Sequence, residues 1–350
     1  MRIQELDYDL PPELVAQEPA GRREAARLMV LRRSDGTITE ASFGAIGEHL
    51  RPGDLLVLND TRVVPARLEA HKPTGGRVDL LLVACEGEDG DEAIWTCLAS
   101  SGRGIRPGVR LRIAPGFEAE ILGEIGRGRI RLRLRADGRS PREAIERFGL
   151  MPLPPYIRRA SGDSRSGLDR ERYQTVYARH PGAIAAPTAG LHFTEELMRA
   201  LEGRGVRFAR LTLHVGPGTF QPVRSEHVED HRVEAEAYRL PPETVEAVAA
   251  CRARGGRVVA VGTTATRVLE ERADEGGRLA PGEGHCDLTI VPGHRFRVVD
   301  ALITNFHLPR TTLIVLASAF AGRERILAAY REAVARRFRF YSYGDAMMIE

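Results

Sequence analysis

Two histidines occupy the same kind of position in this chain. His192 lies in Ala185-Ala186-Pro187-Thr188-Ala189-Gly190-Leu191-His192-Phe193, and His214 in Leu211-Thr212-Leu213-His214-Val215-Gly216-Pro217-Gly218-Thr219-Phe220. Imidazole titrates near neutral pH, so each is a candidate general acid or base. Each alone is also compatible with a histidine that holds its own loop. The neighbouring Thr188, Gly190, Gly216, Gly218 and Thr219 favour chemistry, because small residues leave room for a ligand beside the ring. Three further clusters have a similar character. In Asn59-Asp60-Thr61-Arg62, Asp60 and Arg62 would hold a ribose or base edge and an anionic group, or simply form a turn. In Gly262-Thr263-Thr264, backbone N–H groups and two hydroxyls would receive a carboxylate or phosphate, or cap a helix. Asn305-Phe306-His307 is the fifth cluster. His227 and His231 stand four residues apart without an obvious third ligand, so His231 is read as a polar site residue and no metal is expected.

The elements around these clusters place them at strand ends. Asp54–Leu58 reads as a buried strand running into Asn59. A helix holding Tyr173 and Val176 is expected to lead into a strand over Ala183–Ala186. Thr194 is an expected N-cap, with Glu195 and Glu196 in the first turn and Leu197, Met198 and Leu201 on the buried stripe. Leu211–Val215, Arg257–Val261, Asp287–Val291 and Ala301–Thr304 are expected strands. Pro241–Arg254, a segment from Gly262 through Glu271, and two segments within Thr311–Arg337 are expected helices. Strands alternating with helices predict an α/β domain with a mostly parallel sheet, whose ligands bind beyond the carboxyl ends of the strands.

Between residues 66 and 150 the texture changes to short apolar runs broken by Gly, Pro and Asp, which predicts an inserted, small, all-β, barrel-like domain. The expected organisation is a discontinuous α/β domain of residues 1–65 and 151–350 around this insertion, with Met151-Pro152-Leu153-Pro154-Pro155-Tyr156-Ile157 as the stiff return. Within it, Arg129, Arg131, Arg133 and Arg135 alternate with Ile130, Leu132 and Leu134, so the four guanidinium groups line one face. They are candidates to track the phosphates of a nucleic acid, or they form a solvated face in a chain whose only lysine is Lys72. From Arg103 to Arg147 twelve arginines stand against six acids, a local charge of +6 in a molecule of net charge +3. The Arg-rich last helix runs into Phe338, Phe340, Tyr341 and Tyr343, a pattern for unpaired bases or for docking into the core.

Four scattered cysteines without a C-x-x-C pair argue for a reducing cytosol and against a zinc or disulfide framework. No cleavable apolar signal is read at the amino terminus, and the longest apolar run, Thr311 to Ala321, is too short to span a bilayer. A cytoplasmic protein without a membrane partner is expected, as a monomer or weak homo-oligomer.

In these residues the chain resembles the S-adenosylmethionine:tRNA ribosyltransferase-isomerases of the queuosine pathway. The likeness runs from Leu10-Pro11-Pro12-Glu13-Leu14-Val15-Ala16-Gln17 and Arg51–Val63 through Pro152–Ile157, Tyr173–Tyr177 and both histidine loops. It continues to Ala301–Pro309 and closes with Tyr341-Ser342-Tyr343-Gly344-Asp345-Ala346-Met347-Met348. The resemblance implies a ribosyl transfer from S-adenosylmethionine, a substrate rather than a cofactor, to the aminomethyl group of a 7-deazaguanine at the tRNA wobble position. Rearrangement of the sugar gives epoxyqueuosine, with adenine and methionine released. No metal or redox cofactor is implied, and the partner is a tRNA anticodon loop. On this resemblance His192 and His214 share the proton transfers, Asp60 and His307 orient ribose or amine, and Thr263 and Thr264 hold the methionine carboxylate. Asn59, Arg62, Thr188, Gly190, Gly216, Gly218, Thr219, His231, Glu236 and Asn305 complete the expected substrate site. The family usually has Met-His-x-Glu where this chain has Val233-Glu234-Ala235-Glu236, and Pro217 and Cys286 replace its usual Ala and Thr. An altered-substrate or non-catalytic RNA-binding paralogue is therefore the alternative. A methyltransferase would be expected to carry a glycine-rich fingerprint, which is absent.

Overall fold

The computed structural model describes residues 1–102, 104–126, 128–220 and 225–350, without the side chains of Thr219 and Phe220. The chain divides into two compact units, Met1–Arg62 with Pro154–Arg159 and Arg172–Glu350, and Val63–Leu153 with Ala160–Glu171. The second unit, where the expectation was residues 66–150, also takes up residues 160–171. The reason is local: Ser161 Oγ donates to Glu69 (2.6 Å), and Arg170 donates to the carbonyls of Glu146 and Gly149 (2.8 Å each).

The larger unit is built on a nine-stranded sheet. Its centre is parallel: Arg207–Leu213, Leu55–Asn59, Val258–Val261 and Ala301–Asn305 lie side by side in that order. The remaining pairings are antiparallel, except that Ala346–Ile349 runs parallel to Arg27–Leu31. The sheet is therefore mixed, and the parallel expectation holds for its centre. Fully buried strands should read as continuous apolar runs with alternate residues facing opposite layers. They do: Leu55, Val57, Val258, Ala260, Leu302, Met347 and Ile349 enter one core, and Leu56, Leu58, Val259, Val261, Ile303, Ala346 and Met348 the other. Helices Pro242–Ala253, Thr263–Glu271, Thr312–Ala321 and Arg323–Ala335 contribute to the first layer. Helix Glu195–Gly203 contributes Met198 and Leu201 to the second, together with Phe43 and Phe193. Thr194 caps that helix as expected, its hydroxyl accepting from the Leu197 N–H at 3.1 Å.

Three expectations differ from the structure. The segment Asp287–Val291 is extended but pairs with no strand; Gly282–Cys286 is the strand instead. Side chains take the place of the ladder there: Arg267 donates to the Leu288 carbonyl (3.0 Å), and Thr289 Oγ1 accepts from the Val233 N–H (3.4 Å). The strand expected over Ala183–Ala186 is His180–Ala183. The helix expected to hold Tyr173 is Ser166–Arg172, ending where the Arg172 guanidinium donates to the carbonyls of Ala20 and Gly21 (2.7 and 3.1 Å).

The smaller unit is a closed six-stranded barrel. Its strands are Arg67–His71, Arg77–Asp89, Glu92–Ser101, Arg110–Ala114, Phe117–Gly126 and Arg129–Ala136. The alternation of the last strand holds, with Leu132 and Leu134 fully buried. Helix Pro141–Phe148 follows, opened by a capping box between Ser140 and Glu143. No helix among the described residues is long and apolar enough to cross a membrane.

One buried charge closes the lower end of the large sheet. Asp54, 1 % exposed, accepts from the Arg257 guanidinium (2.7 Å) and from the N–H groups of Arg51 (2.8 Å) and Arg257 (3.2 Å). Removing Asp54 leaves Arg257 with Glu350 (3.0 Å) as its remaining carboxylate and takes the acceptor from two backbone N–H groups, a loss of about 3 kcal/mol. Asp54→Ala should therefore lower the melting temperature by roughly 10 °C, at about 2–4 °C per kcal/mol for a unit of this size. A thermal melt with an unchanged midpoint would refute this account.

Candidate functional site

Four strand-end clusters of the larger unit meet at two adjoining recesses, which share Thr263, Thr264 and Leu313. The shared wall is the first turn of helix Thr263–Glu271, preceded by Gly262 at φ 90°, a conformation that glycine adopts without strain. The first N–H groups of a helix have no intrahelical partner and carry its positive dipole end. A second helix, Thr312–Ala321, also opens here, with Thr312 and Leu313 in the first recess. Two helix N-termini at one cleft make it a natural seat for an anion.

Glu234, Glu236 and Arg267 give the first recess its charge. Glu236 is ion-paired with Arg267 and accepts from the Gly216 N–H at 2.8 Å. Arg267 also donates to the carbonyls of Leu288 and Cys286, both at 3.0 Å. Glu234 and Glu236 thus place carboxylates beside the anion seat, with Arg267 among them. The recess thus suits a ligand that carries both signs of charge.

Residues 185–189, Thr304, Asn305, His307, Tyr341 and Ser342 line the second recess. His307 is 4 % exposed and both ring nitrogens are engaged, Nδ1 with the Tyr330 hydroxyl and Nε2 with Thr304 Oγ1, each at 3.1 Å. Tyr330 also accepts the His307 N–H at 3.1 Å. Burial pushes the His307 pKa down to about 3. Burial, with the charges of Arg23 and Arg339, does the same to His192, again to about 3. His192 receives Asn305 Nδ2 at 3.2 Å and packs on the Phe43 ring at 5.0 Å. It borders a separate, smaller recess with Arg23 and Arg172.

The remaining expected residues are dispersed around this cleft. Asn59 lies behind it, fully buried, with every amide position used: Nδ2 donates to the Leu213 carbonyl (3.0 Å) and Thr264 Oγ1 (3.2 Å), and Oδ1 accepts from the N–H groups of Leu213 (3.0 Å) and Thr61 (3.2 Å). His214 is half-buried against Thr61, its Nδ1 at 2.8 Å from the hydroxyl, and is not brought together with His192. Burial and the neighbouring His180 lower its pKa while Asp60 opposes them. Asp60 is buried, accepting from Thr212 (2.7 Å) with His180 at 3.8 Å, and Arg62 is exposed. Thr188 is half-buried in the second recess. Gly190 is required by packing, since a Cβ there would fall 2.0 Å from the Tyr177 hydroxyl; Gly216 and Gly218 meet the Glu236 and Glu234 side chains only at ordinary distances. His231 is half-buried and its pKa is lowered by burial and Arg232. The Thr219 side chain lies outside the described residues.

In the barrel unit, Arg131 pairs with Glu86 (2.7 Å), Arg133 with Glu120 (3.2 Å) and Glu92 (3.4 Å), and Arg135 with Asp91 and Asp137 (3.6 Å each). Arg129 shares their strand. The row is on one face, as its alternation requires, but neighbouring acids offset its charge.

Sequence reading missed Arg267, Thr304, Thr312 and Ser342. Arg267 was within reach: it stands four residues after Thr263, on the same face of a helix.

A mixed α/β unit with its cleft at the carboxyl ends of the central strands, interrupted by a closed barrel, defines a two-unit enzyme that binds a small charged substrate. The family model of queuosine biosynthesis proteins matches residues 3–349, and the chain belongs to that family. It is 54 % identical over its full length, and over 100 % of the relative, to the S-adenosylmethionine:tRNA ribosyltransferase-isomerase of Trichlorobacter lovleyi. It is 50 % identical, again over all of both chains, to the protein of that name from Aquifex aeolicus. Among solved structures it resembles the crystal structure of S-adenosylmethionine tRNA ribosyltransferase from Thermotoga maritima (39 % identity, TM-score 0.55, 99 % of this chain and 100 % of that one).

The depressed imidazoles generate a prediction about stability. An unfolded histidine takes up a proton near pH 6.5, whereas folded His192 and His307 do so only near 3. The unfolded state therefore binds more protons between these values, and stability should fall as pH drops through that window. Melting temperatures recorded from pH 7 to 4.5 should fall less steeply for His192→Gln than for the parent chain; equal slopes would contradict the buried neutral imidazole.

Proposed function

We propose that this chain transfers and isomerises the ribosyl moiety of S-adenosylmethionine onto the aminomethyl group of 7-aminomethyl-7-deazaguanine at a tRNA wobble position. The products are epoxyqueuosine-tRNA, adenine and methionine, and the setting is the cytosol, with a tRNA anticodon loop as the macromolecular partner. Family membership, with relatives of this name over the full chain, supports the reaction. The observation that carries it on this chain's own residues is the pairing of two helix N-termini with the Glu234, Glu236 and Arg267 corner.

S-adenosylmethionine carries a carboxylate, an ammonium and a sulfonium. Its carboxylate takes the N–H groups and hydroxyls at Thr263 and Thr264, where the helix dipole favours negative charge. Its cationic groups face the carboxylates of the same recess, and its sugar and base extend past Thr304, Asn305, His307 and Tyr341. The sulfonium acidifies the carbon beside it, and a base removes that proton. Buried imidazoles whose conjugate acids form only near pH 3 are poor acceptors, so His192 and His307 orient rather than exchange protons. Proton exchange falls to His214, whose half-buried ring lies near Asp60, and to the recess carboxylates. The arginine row of the barrel would track tRNA phosphates by exchanging its carboxylate partners for phosphate oxygens.

Incubation with S-adenosylmethionine and a tRNA bearing the aminomethyl base should release adenine and add the mass of the rearranged sugar to the nucleoside. S-adenosylhomocysteine as product would point to a methyltransferase, and no product to a binding paralogue. Thr263→Val removes one hydroxyl from the carboxylate seat. It should raise the KM for S-adenosylmethionine about tenfold, the equivalent of roughly 1.4 kcal/mol for a charge-assisted hydrogen bond, with kcat little changed. A KM unchanged by that substitution would remove Thr263 from the seat.

A further inference from the structure

One buried polar atom of a residue that lines the second recess has no hydrogen-bond partner among the described residues. Asn305 is 3 % exposed and lines the recess, and its Oδ1 is buried without a hydrogen-bond donor. Both protons of its amide are used: Nδ2 donates to the Tyr341 carbonyl at 3.1 Å and to His192 Nε2 at 3.2 Å. The Tyr341 carbonyl can only accept, which fixes the amide the right way round. His192 Nε2 is an acceptor for the same reason, and its other nitrogen bonds the Arg23 backbone. Tyr341 is itself held, with φ at 73°, a conformation non-glycine residues seldom adopt, and its N–H donates to the Phe306 carbonyl at 3.0 Å. A buried acceptor left without a donor costs roughly 1–3 kcal/mol, so an oriented orphan at a binding site implies that a ligand supplies the donor.

We propose that Asn305 Oδ1 accepts a hydrogen bond from an amino group of a substrate, and that His192 is the positioning residue that sets the Asn305 amide for that task. This rests on the reaction assigned above and deepens it. Two amino groups have the required chemistry: the exocyclic amine of the adenine in S-adenosylmethionine and the aminomethyl group of the acceptor base. An uncharged carbonyl acceptor leaves the nitrogen lone pair free in either case. For the aminomethyl group it would orient the amine through one N–H. For adenine it would tell the base from purines that lack the amine.

The experiment uses the full chain and has arms for each source. Asn305→Leu keeps the volume and removes the acceptor. If the donor is on adenine, dissociation constants by calorimetry should show S-adenosylmethionine bound about tenfold more weakly by the variant. The parent chain should then discriminate against the 6-deamino analogue of S-adenosylmethionine, and the variant should not. If the donor is the acceptor amine, affinity for S-adenosylmethionine should hold while kcat/KM for the modified tRNA falls at least about tenfold. His192→Phe should depress the same parameter as Asn305→Leu, and the double variant should do no worse than the worse single one, as expected of two residues acting through one contact. A catalytic His192 would instead lose kcat alone and remove a limb of the pH profile. Should Asn305→Leu fail to fold, the parent chain still decides. It is measured for binding of the 6-deamino analogue, and of tRNA carrying a 7-methyl in place of the 7-aminomethyl base. Both analogues binding within threefold of their parents would overturn the proposal while adenine release by the parent chain stands.

Discussion

A single carboxamide ties the catalytic unit together. Beyond Leu211 the parallel ladder between Arg207–Leu213 and Leu55–Asn59 ends, and the Asn59 side chain continues it, bonding both the N–H and the carbonyl of Leu213. Its second amide proton reaches Thr264 in the first turn of helix Thr263–Glu271. Two strands and the helix that forms the common wall of both recesses are thereby set against one another by one side chain with no hydrogen-bonding position to spare. A buried amide that is fully satisfied is rigid, because any movement leaves a polar group without a partner. Asn59 therefore acts as a brace for the site.

The electrostatic design follows from what burial permits. In the binding mode proposed above, helix ends and hydroxyls, which need no counter-ion of their own, would receive the negative charge. Glu234 and Glu236 would meet the positive charge, with Arg267 paired to the second. His307 on the second recess and His192 on the smaller one are both held neutral by desolvation. The polar lining is thus a set of oriented dipoles with few mobile charges, suited to a substrate that brings its own sulfonium.

Much of this was legible in the residues. Runs such as Leu55–Leu58 and Val258–Val261 are apolar on both faces and stop at Asn or Gly, so their ends announced the cleft. The barrel was readable from regular turn residues, and its last strand from strict alternation. Strands Ile38–Ser42 and Glu236–Leu240 were not, because they are short and largely polar. Asp287–Val291 misled for the opposite reason: its alternating pattern is that of a strand, but Arg267 and Val233 take up backbone and hydroxyl groups that a ladder would use. Histidine roles were hidden because the type of residue reveals neither its partners nor its desolvation. His192 reads as an acid or base in sequence and as an orienting acceptor once Asn305 is beside it.

Ala346–Ile349 forms an interior strand, flanked by Ala301–Asn305 and Arg27–Leu31, and the turn leading into it supplies Tyr341 and Ser342 to the second recess. Ala346–Ile349 is thus the only link in the sheet between Ala301–Asn305 and Arg27–Leu31 among the described residues, and the same strand anchors the turn that brings Tyr341 and Ser342 to the recess.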